Sequence, residues 1–414
     1  MDLPASSQYA RRHFLKHALA ASSLFVPALT LTQSIRARAE EMSRRGKAAI
    51  LLWLSGGPST IDLWDLKPGS PNAGPFRPIP TTGSSQICEH LPRLARQMRH
   101  LSVVRSMSTR EADHTRGRYL MQTGYPPTPG LEHPSYGAVF AHELAEDHPE
   151  LRIPPFVSIG DLGVGPGFLG MSWAPFVVTS DGRIENLQSD VNAERLTRRM
   201  TALRSLETEF IKGRRGPAAQ DHALVLDKTL ALMTSPQLAA FQVEREPVAL
   251  RNRYGDHDFG KGCLLARRLV EAGVPFVEVD FGGWDHHNAI FPALKDEMLP
   301  RLDQGFSALI EDLEARGLLP STAVICMGEF GRTPRINTTA GRDHWARAWS
   351  VVVGGAGFQG GKIVGETNDD GTQVTTEPHA SQDLMASVCR ALDIPLTTTL
   401  MTPNGRPMKI ANSG

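Results

Sequence analysis

Asp285, His286 and His287 stand in succession in FGGWDHHN, directly after the apolar run VPFVEVDF. Carboxylate oxygen and imidazole nitrogen together suit zinc or a similar divalent ion. In an extended segment alternate side chains share a face, so Asp285 and His287 are expected to point together and His286 the other way. All three count as candidate metal ligands. The duller reading of the run is a loop Asp capping a helix, beside histidines that are merely hydrogen-bonded. Gly282 and Gly283 before it would let backbone come close to a ligand.

Three further stretches carry similar chemistry. Asp343 and His344, in GRDHWARAW, repeat the Asp-His pair before another strand-like run. A metal site draws three or four ligands from distant positions, so two such pairs weigh more than one. In GEFGRTP, Glu329 follows the apolar run AVICM and is a candidate ligand or base. Arg332, on the same turn, could grip a tetrahedral anion with its planar fork. The alternative is a buried Glu–Arg ion pair that stabilises the turn. ADHTRGRYLMQTG brings together Asp113, His114, Thr115, Arg116 and Arg118 ahead of a helical segment. A hydroxyl at a helix N-terminus beside cations suits a nucleophile acting on an anionic ester. Plain N-capping by Asp113 or Thr115 explains the same residues.

Those side chains need elements to position them. AAILLWLSGGPS, HLSVVRSMST, PPFVSIGD, VPFVEVDF, STAVICMGEFG and WSVVVGGAG read as buried strands. DFGKGCLLARRLVEAG, FPALKDEMLPRLDQGFSALIEDLEARG and SQDLMASVCRALD carry apolar residues at helical spacing. Strands that alternate with helices and are apolar on both faces predict an α/β fold with a mostly parallel sheet covered on both sides. From about 183 to 253 the spacing predicts a helical insertion, placed to shape access to a pocket. Ligands of such sheets bind outside the carboxyl ends of the strands. The loops SGGPSTID, GGWDHHN and GEFGRTP all follow strand-like runs, so they are expected to converge on one edge. GVGPGFLG lacks the strand–loop–helix context of a dinucleotide loop, and SGGPST lacks the Lys of a P-loop.

Lys and Arg number 44, as do Asp and Glu, in a chain of 414 residues, which leaves no basic excess for nucleic acid or a polybasic membrane anchor. Residues 1–39 read as a secretory signal: Arg11-Arg12-His13-Phe14-Leu15-Lys16, a short apolar run, then Ala37-Arg38-Ala39. The order resembles a twin-arginine signal, which implies the Tat export machinery as a partner and a periplasmic or cell-surface location. The apolar run falls short of the ~20 residues a spanning helix needs, so no stable membrane span is expected after cleavage. The mature domain then covers 40–414. Cys88, Cys263, Cys326 and Cys389 show no metal-finger spacing and read mostly as buried small hydrophobes.

Together, LSGGPSTIDLWDLKP, HPSYGAVFAHEL, FLGMSWAPF, GGWDHHN, GEFGRTP and GRDHWARAWSVVVGGAGFQGG resemble the DUF1501 proteins, in order from about residue 48 to residue 395. That family is grouped with the alkaline phosphatase and sulfatase superfamily. The resemblance implies an alkaline phosphatase-like three-layer α/β/α sandwich with a bimetal site at its strand ends. It implies that Asp285 and His287 are the middle ligand group and that Glu329 takes the place of an Asp-His pair. His344, with Asp343, looks like the late His ligand, and His114 or Thr115 falls near the nucleophile position. Two departures stand out. SGGPS follows the first strand where active members carry an acidic residue, Asp62 coming only later. No sulfatase Cys-x-Pro-x-Arg motif is present.

The expectation is therefore an exported hydrolase of phosphate or sulfate esters of a small molecule or glycan. It would depend on a divalent ion such as zinc, manganese or calcium. Arg332, with Arg116 or Arg118, would hold the anion, and Thr115 or a water would attack. The alternative is a non-catalytic scaffold on the same fold, binding an anionic glycan or serving in a cell-surface assembly.

Overall fold

The computed structural model describes residues 46–185, 192–212 and 218–411. The export signal expected over residues 1–39 lies outside them. Eight strands form the central sheet: β1 (Ala48–Trp53), β2 (Leu101–Met107), β3 (Phe156–Ile159), β4 (Phe176–Val178), β5 (Phe276–Asp280), β6 (Thr322–Met327), β7 (Trp349–Gly354) and β8 (Ile363–Val364). Their order across the sheet is β8-β2-β7-β6-β1-β5-β3-β4. β1 lies at the centre, with Trp53 level with both Asp280 of β5 and Met327 of β6. β7 is antiparallel to both of its neighbours, and every other pairing in the sheet is parallel. The sheet is thus mostly parallel, as the alternation of apolar runs and helices predicts.

Every residue of β1, β6 and β7 is buried, which is why these segments read as unbroken apolar runs. Alternate side chains divide between two cores. Ile50, Leu52, Val277, Val279 and Val324 meet α5 (Asp258–Glu271) and α6 (Leu299–Ala315) on one face. Ala49, Leu51, Trp53, Ala323 and Ile325 meet α2 (Tyr136–Leu144) and α7 (Ser381–Ala391) on the other. In α6 the buried Leu302, Phe306, Leu309 and Leu313 recur at three- and four-residue intervals, giving one apolar stripe against the sheet. The result is a three-layer α/β/α sandwich.

α3 (Ala193–Lys212) and α4 (Ala218–Met233) lie between β4 and α5, in the stretch where helical spacing appears in the sequence. All four cysteines are free and buried, as expected of small hydrophobes. Among the described residues no helix is long and apolar enough to cross a membrane.

Candidate metal centre

The carboxyl ends of β1, β5 and β6 open onto one edge, and short backbone ties fasten their loops together. Trp284 N–H donates to Ser55 C=O at 3.1 Å, joining the loop after β5 to the loop after β1. Gly56 has φ 113°, and a Cβ built there would stand 2.6 Å from the backbone nitrogen of Asp285. Any side chain at that position pushes the Asp285 loop away, so Gly56 admits the close approach that no other residue allows. Beyond β6, residues Gly331–Arg332 pair antiparallel with His344–Trp345, with His344 opposite Arg332. That pairing returns the late Asp-His pair to the edge where β6 ended. It works because β7 runs against its neighbours, so the start of β7 lies beside the carboxyl ends of the others.

His114 arrives from a fourth direction. It is the first residue of α1 (His114–Thr123), whose N-cap is Asp113, with the carboxylate accepting from Arg116 N–H at 3.0 Å. Gly124 ends the helix at φ 79°. The capping reading of this stretch holds for Asp113, and its effect is to aim His114 at the site.

Three imidazoles converge here, each fastened by its Nδ1. His114 Nδ1 lies 2.6 Å from Glu329 Oε1, which also accepts from Gly56 N–H at 3.0 Å. His287 Nδ1 lies 2.8 Å from Asp343 Oδ1. His344 Nδ1 lies 2.7 Å from the carbonyl oxygen of Ala112. Carboxylates and carbonyls accept, so each Nδ1 carries a proton and each ring turns its Nε2 inward. Asp285 sits among those nitrogens. Its Oδ2 is 3.3 Å from His114 Nε2, and its Oδ1 is 2.9 Å from His287 Nε2 and 3.4 Å from His344 Nε2. The Nε2 atoms of His287 and His344 face each other at 3.1 Å. The buried His114 Nε2 has no hydrogen-bond partner. His114, Asp285 and His344 can each offer one atom to a common ion, with those atoms within 4.8 Å of one another.

This donor set fits a divalent cation. Two lone pairs at 3.1 Å repel unless a proton or a cation lies between them, and an orphaned buried nitrogen is costly. A histidine whose Nδ1–H is held by a carboxylate or carbonyl is the arrangement in which Nε2 binds metal, the acceptor fixing tautomer and ring orientation. The rings are packed as well as hydrogen-bonded. Phe330 is fully buried, with its centroid 5.1 Å from that of His114 and 4.7 Å from that of His344.

The remaining predicted residues fall into other places. His286 is not among the residues that can offer an atom to the common ion, and its segment is loop and not strand. Burial and the charge of Arg332 hold its imidazole below the usual range. Glu329 and Asp343 touch the histidines' Nδ1 atoms and not the convergence point, so their contacts are those of orienting groups. The hydrogen bond from His287 lowers the Asp343 carboxyl below its ordinary range. Thr115 is exposed and lines a cavity of about 660 Å³ together with His114, Asp285 and Glu329.

Arg332 was expected to reach an anion, but its side chain is fully enclosed. Nε donates to Gly57 C=O at 2.8 Å and Nη1 to Arg342 C=O at 3.2 Å. Nη2 donates to Gly56 C=O and, at 2.6 Å, to Asp285 Oδ1. The guanidinium is committed to bracing the β1 loop and Asp285, so the ion-pair alternative applies with Asp285 in place of Glu329. Desolvation raises the Asp285 pKa, but Arg332 and the neighbouring histidines outweigh it and bring the carboxyl down to about 2. Arg116 closes on Glu111 with two bonds of 2.7 Å, and Arg118 pairs with Asp161 at 2.6 Å.

Arg342 carries a role the sequence did not disclose. It is fully buried and grips Asp62 through Nε at 2.7 Å and Nη2 at 2.9 Å. The pair locks the segment that presents Asp343 and His344, and it commits Asp62 to structure. Both residues lie in stretches the sequence singles out, but nothing there pairs them, so only the fold reveals that they meet across 280 positions.

No curated protein matches the sequence. Among solved structures, the chain is similar to the PsFucS1 sulfatase from Pseudoalteromonas sp., at 12% identity and TM-score 0.39, covering 84% of this chain and 68% of that one. It is also similar to Ps i-CgsB in complex with k-i-k-neocarrahexaose, at 11% identity, TM-score 0.40, and coverage of 84% and 72%. A third is the phosphonate monoester hydrolase SpPMH from Silicibacter pomeroyi, at 11% identity, TM-score 0.34, and coverage of 85% and 74%. Likenesses this distant say nothing of substrate. The family model described as "Protein of unknown function (DUF1501)" matches residues 46–414, and the chain belongs to that family.

Proposed function

We propose that the protein is an exported, metal-dependent hydrolase of phosphate or sulfate esters. One observation carries the reading: three imidazoles are each tied at Nδ1 to an oxygen, and His114, Asp285 and His344 each offer one atom to a group within 4.8 Å, with His287 Nε2 2.9 Å from Asp285 Oδ1. His114, His287, His344 and Asp285 would hold the ion. A divalent ion there supplies Lewis acidity, stabilising negative charge on an ester oxygen and lowering the pKa of a water nucleophile.

The chain's own residues do the rest. Glu329, Asp343 and the Ala112 carbonyl keep the imidazoles aimed. Arg332 holds Asp285 ionised at neutral pH and in place. Thr115 offers a hydroxyl on the wall of the same cavity, at the start of a helix whose positive end favours an anionic ester. Export rests on the twin-arginine pattern of residues 1–39. The test is turnover of aryl phosphates and aryl sulfates by the metal-loaded protein, beside Asp285→Ala. Hydrolysis by the native protein and loss of at least about a hundredfold in the variant is the expected result. Absence of turnover on every ester in the presence of bound metal overturns it.

A second reading, a non-catalytic metal-binding scaffold, has one specific observation in its favour. Ser55-Gly56-Gly57 stands where the superfamily resemblance implies a first-strand acid, and Asp62 is locked onto Arg342. Metal binding without hydrolysis is the outcome that selects it.

A further inference from the structure

The cavity of about 660 Å³ beside the histidines has a lining of two kinds. His114, Asp285 and Glu329 supply imidazole and carboxylate. Tyr119, Pro127 and Val164 supply an aromatic ring and aliphatic surface.

The Tyr119 ring is fixed. Its hydroxyl accepts from His133 N–H at 2.7 Å and bonds His133 Nδ1 at 3.0 Å. His133 is held in turn by Tyr125, stacked on it at 4.4 Å between centroids and 6° from parallel. A ring held by its far end presents its face at little entropic cost, which suits a flat or ring-shaped partner.

Among the described residues, Arg118 is the one Lys or Arg on the cavity wall, and it is committed. Its guanidinium pairs with Asp161 at 2.6 Å and Glu278 at 3.4 Å, and its Nε is shut off from solvent. Asp280 adds a third carboxyl to its surroundings. The cations nearest in sequence and space give no help, since Arg116 is taken by Glu111 and Arg332 by Asp285. A second anion on the substrate, beyond the one at the histidines, would be desolvated among carboxylates with no uncommitted cation to meet it.

Building on the hydrolase reading above, we infer that this site takes esters whose alcohol part is an uncharged ring, and that it discriminates against a second negative charge on that ring. Tyr119 is the residue that receives the ring, and Val164 marks where a cation is missing.

The test is calorimetric binding to the metal-loaded full chain, with turnover followed in parallel. The probes are 4-nitrophenyl phosphate and 4-nitrophenyl sulfate against their 4-carboxyphenyl counterparts. The native protein binds the nitrophenyl ester at least about tenfold more tightly than the carboxyphenyl ester. Val164→Lys brings the two close to parity. Tyr119→Ala weakens the nitrophenyl ester, while Tyr119→Phe, which keeps the ring, holds the preference. Equal or tighter binding of the carboxyphenyl ester by the native protein overturns the inference, as does absence of binding by either. Preferential binding without turnover leaves it standing and overturns the hydrolase reading alone.

Discussion

Arg267 and Arg332 are both fully enclosed guanidiniums, yet their surroundings are of opposite kinds. Arg267 sits in a network on α5 and α6, meeting Glu246 at 2.7 Å, Glu271 at 2.5 Å and Asp312 at 2.9 Å. Arg268 and Arg316 join the same carboxylates, so three cations face three anions and the charges cancel. Tyr254 completes it with a hydrogen bond to Asp312 at 3.0 Å. At the sheet edge Arg332 is the one guanidinium among Asp285, Glu329 and Asp343, and three imidazoles stand between those carboxylates. Three carboxylates meet a single guanidinium there, and a buried Nε2 has no hydrogen-bond partner. A balanced network fastens helices together, whereas carboxylates gathered with inward-facing imidazole nitrogens mark a place where a cation can bind.

That contrast is breakable by mutation. Arg267→Met strips three carboxylates of their shared partner and is expected to cost about 3–5 kcal/mol in urea unfolding. Metal bound per folded molecule should not change. If it falls, the two clusters are not independent.

Asp280 sharpens the same distinction by pH. It lies at the end of β5 near the unbalanced edge, with a buried Oδ1 that has no partner. Burial, and repulsion from Asp161, Glu278 and Glu329, outweigh the attraction of Arg118 and push its carboxyl up from the ordinary 3.8 to about 7. An acid whose folded pKa is raised stabilises the fold in its protonated form. The stability it contributes is intact below the unfolded pKa and is lost as pH rises from about 4 to about 7. The loss is on the order of 2–4 kcal/mol, and Asp280→Asn should flatten that part of the stability–pH profile. An unchanged profile in the variant would place the carboxyl in a wetter setting.

Glu329→Gln replaces the charged acceptor on His114 Nδ1 with a neutral one. Metal affinity should drop about 10–100-fold by competition with a chelator, with melting temperature little altered. The smallest effect belongs to Asp343→Ala, because Asp343 is exposed. Stability should stay within about 0.5 kcal/mol, and metal affinity should fall by no more than about tenfold.

Much of this was legible in the residues. The apolar runs that became β1, β6 and β7 are buried on both faces, so their composition alone marks them. The antiparallel direction of β7 was not legible, because nothing in WSVVVGGAG encodes orientation. Alternation pairs Asp285 with His287, and the two meet at 2.9 Å even though the segment is loop. The histidine convergence was partly visible. His287 and His344 lie in Asp-His pairs, but His114 looked like a neighbour of a nucleophile because its partner Glu329 is 215 positions away. Arg332 reads as an anion grip for a related reason. A planar fork suits an anion equally well whether it faces a ligand or the Gly56 and Gly57 carbonyls, and only the fold decides which.

The most direct test of the account is elemental analysis of the purified protein after loading with zinc or manganese, beside His114→Ala and Asp285→Ala. The account predicts a near-stoichiometric divalent ion in the native protein, lost in both variants while circular dichroism shows an unchanged fold. A native protein that takes up no metal, or variants that keep it in full, would contradict the assignment of the histidine cluster as a metal centre.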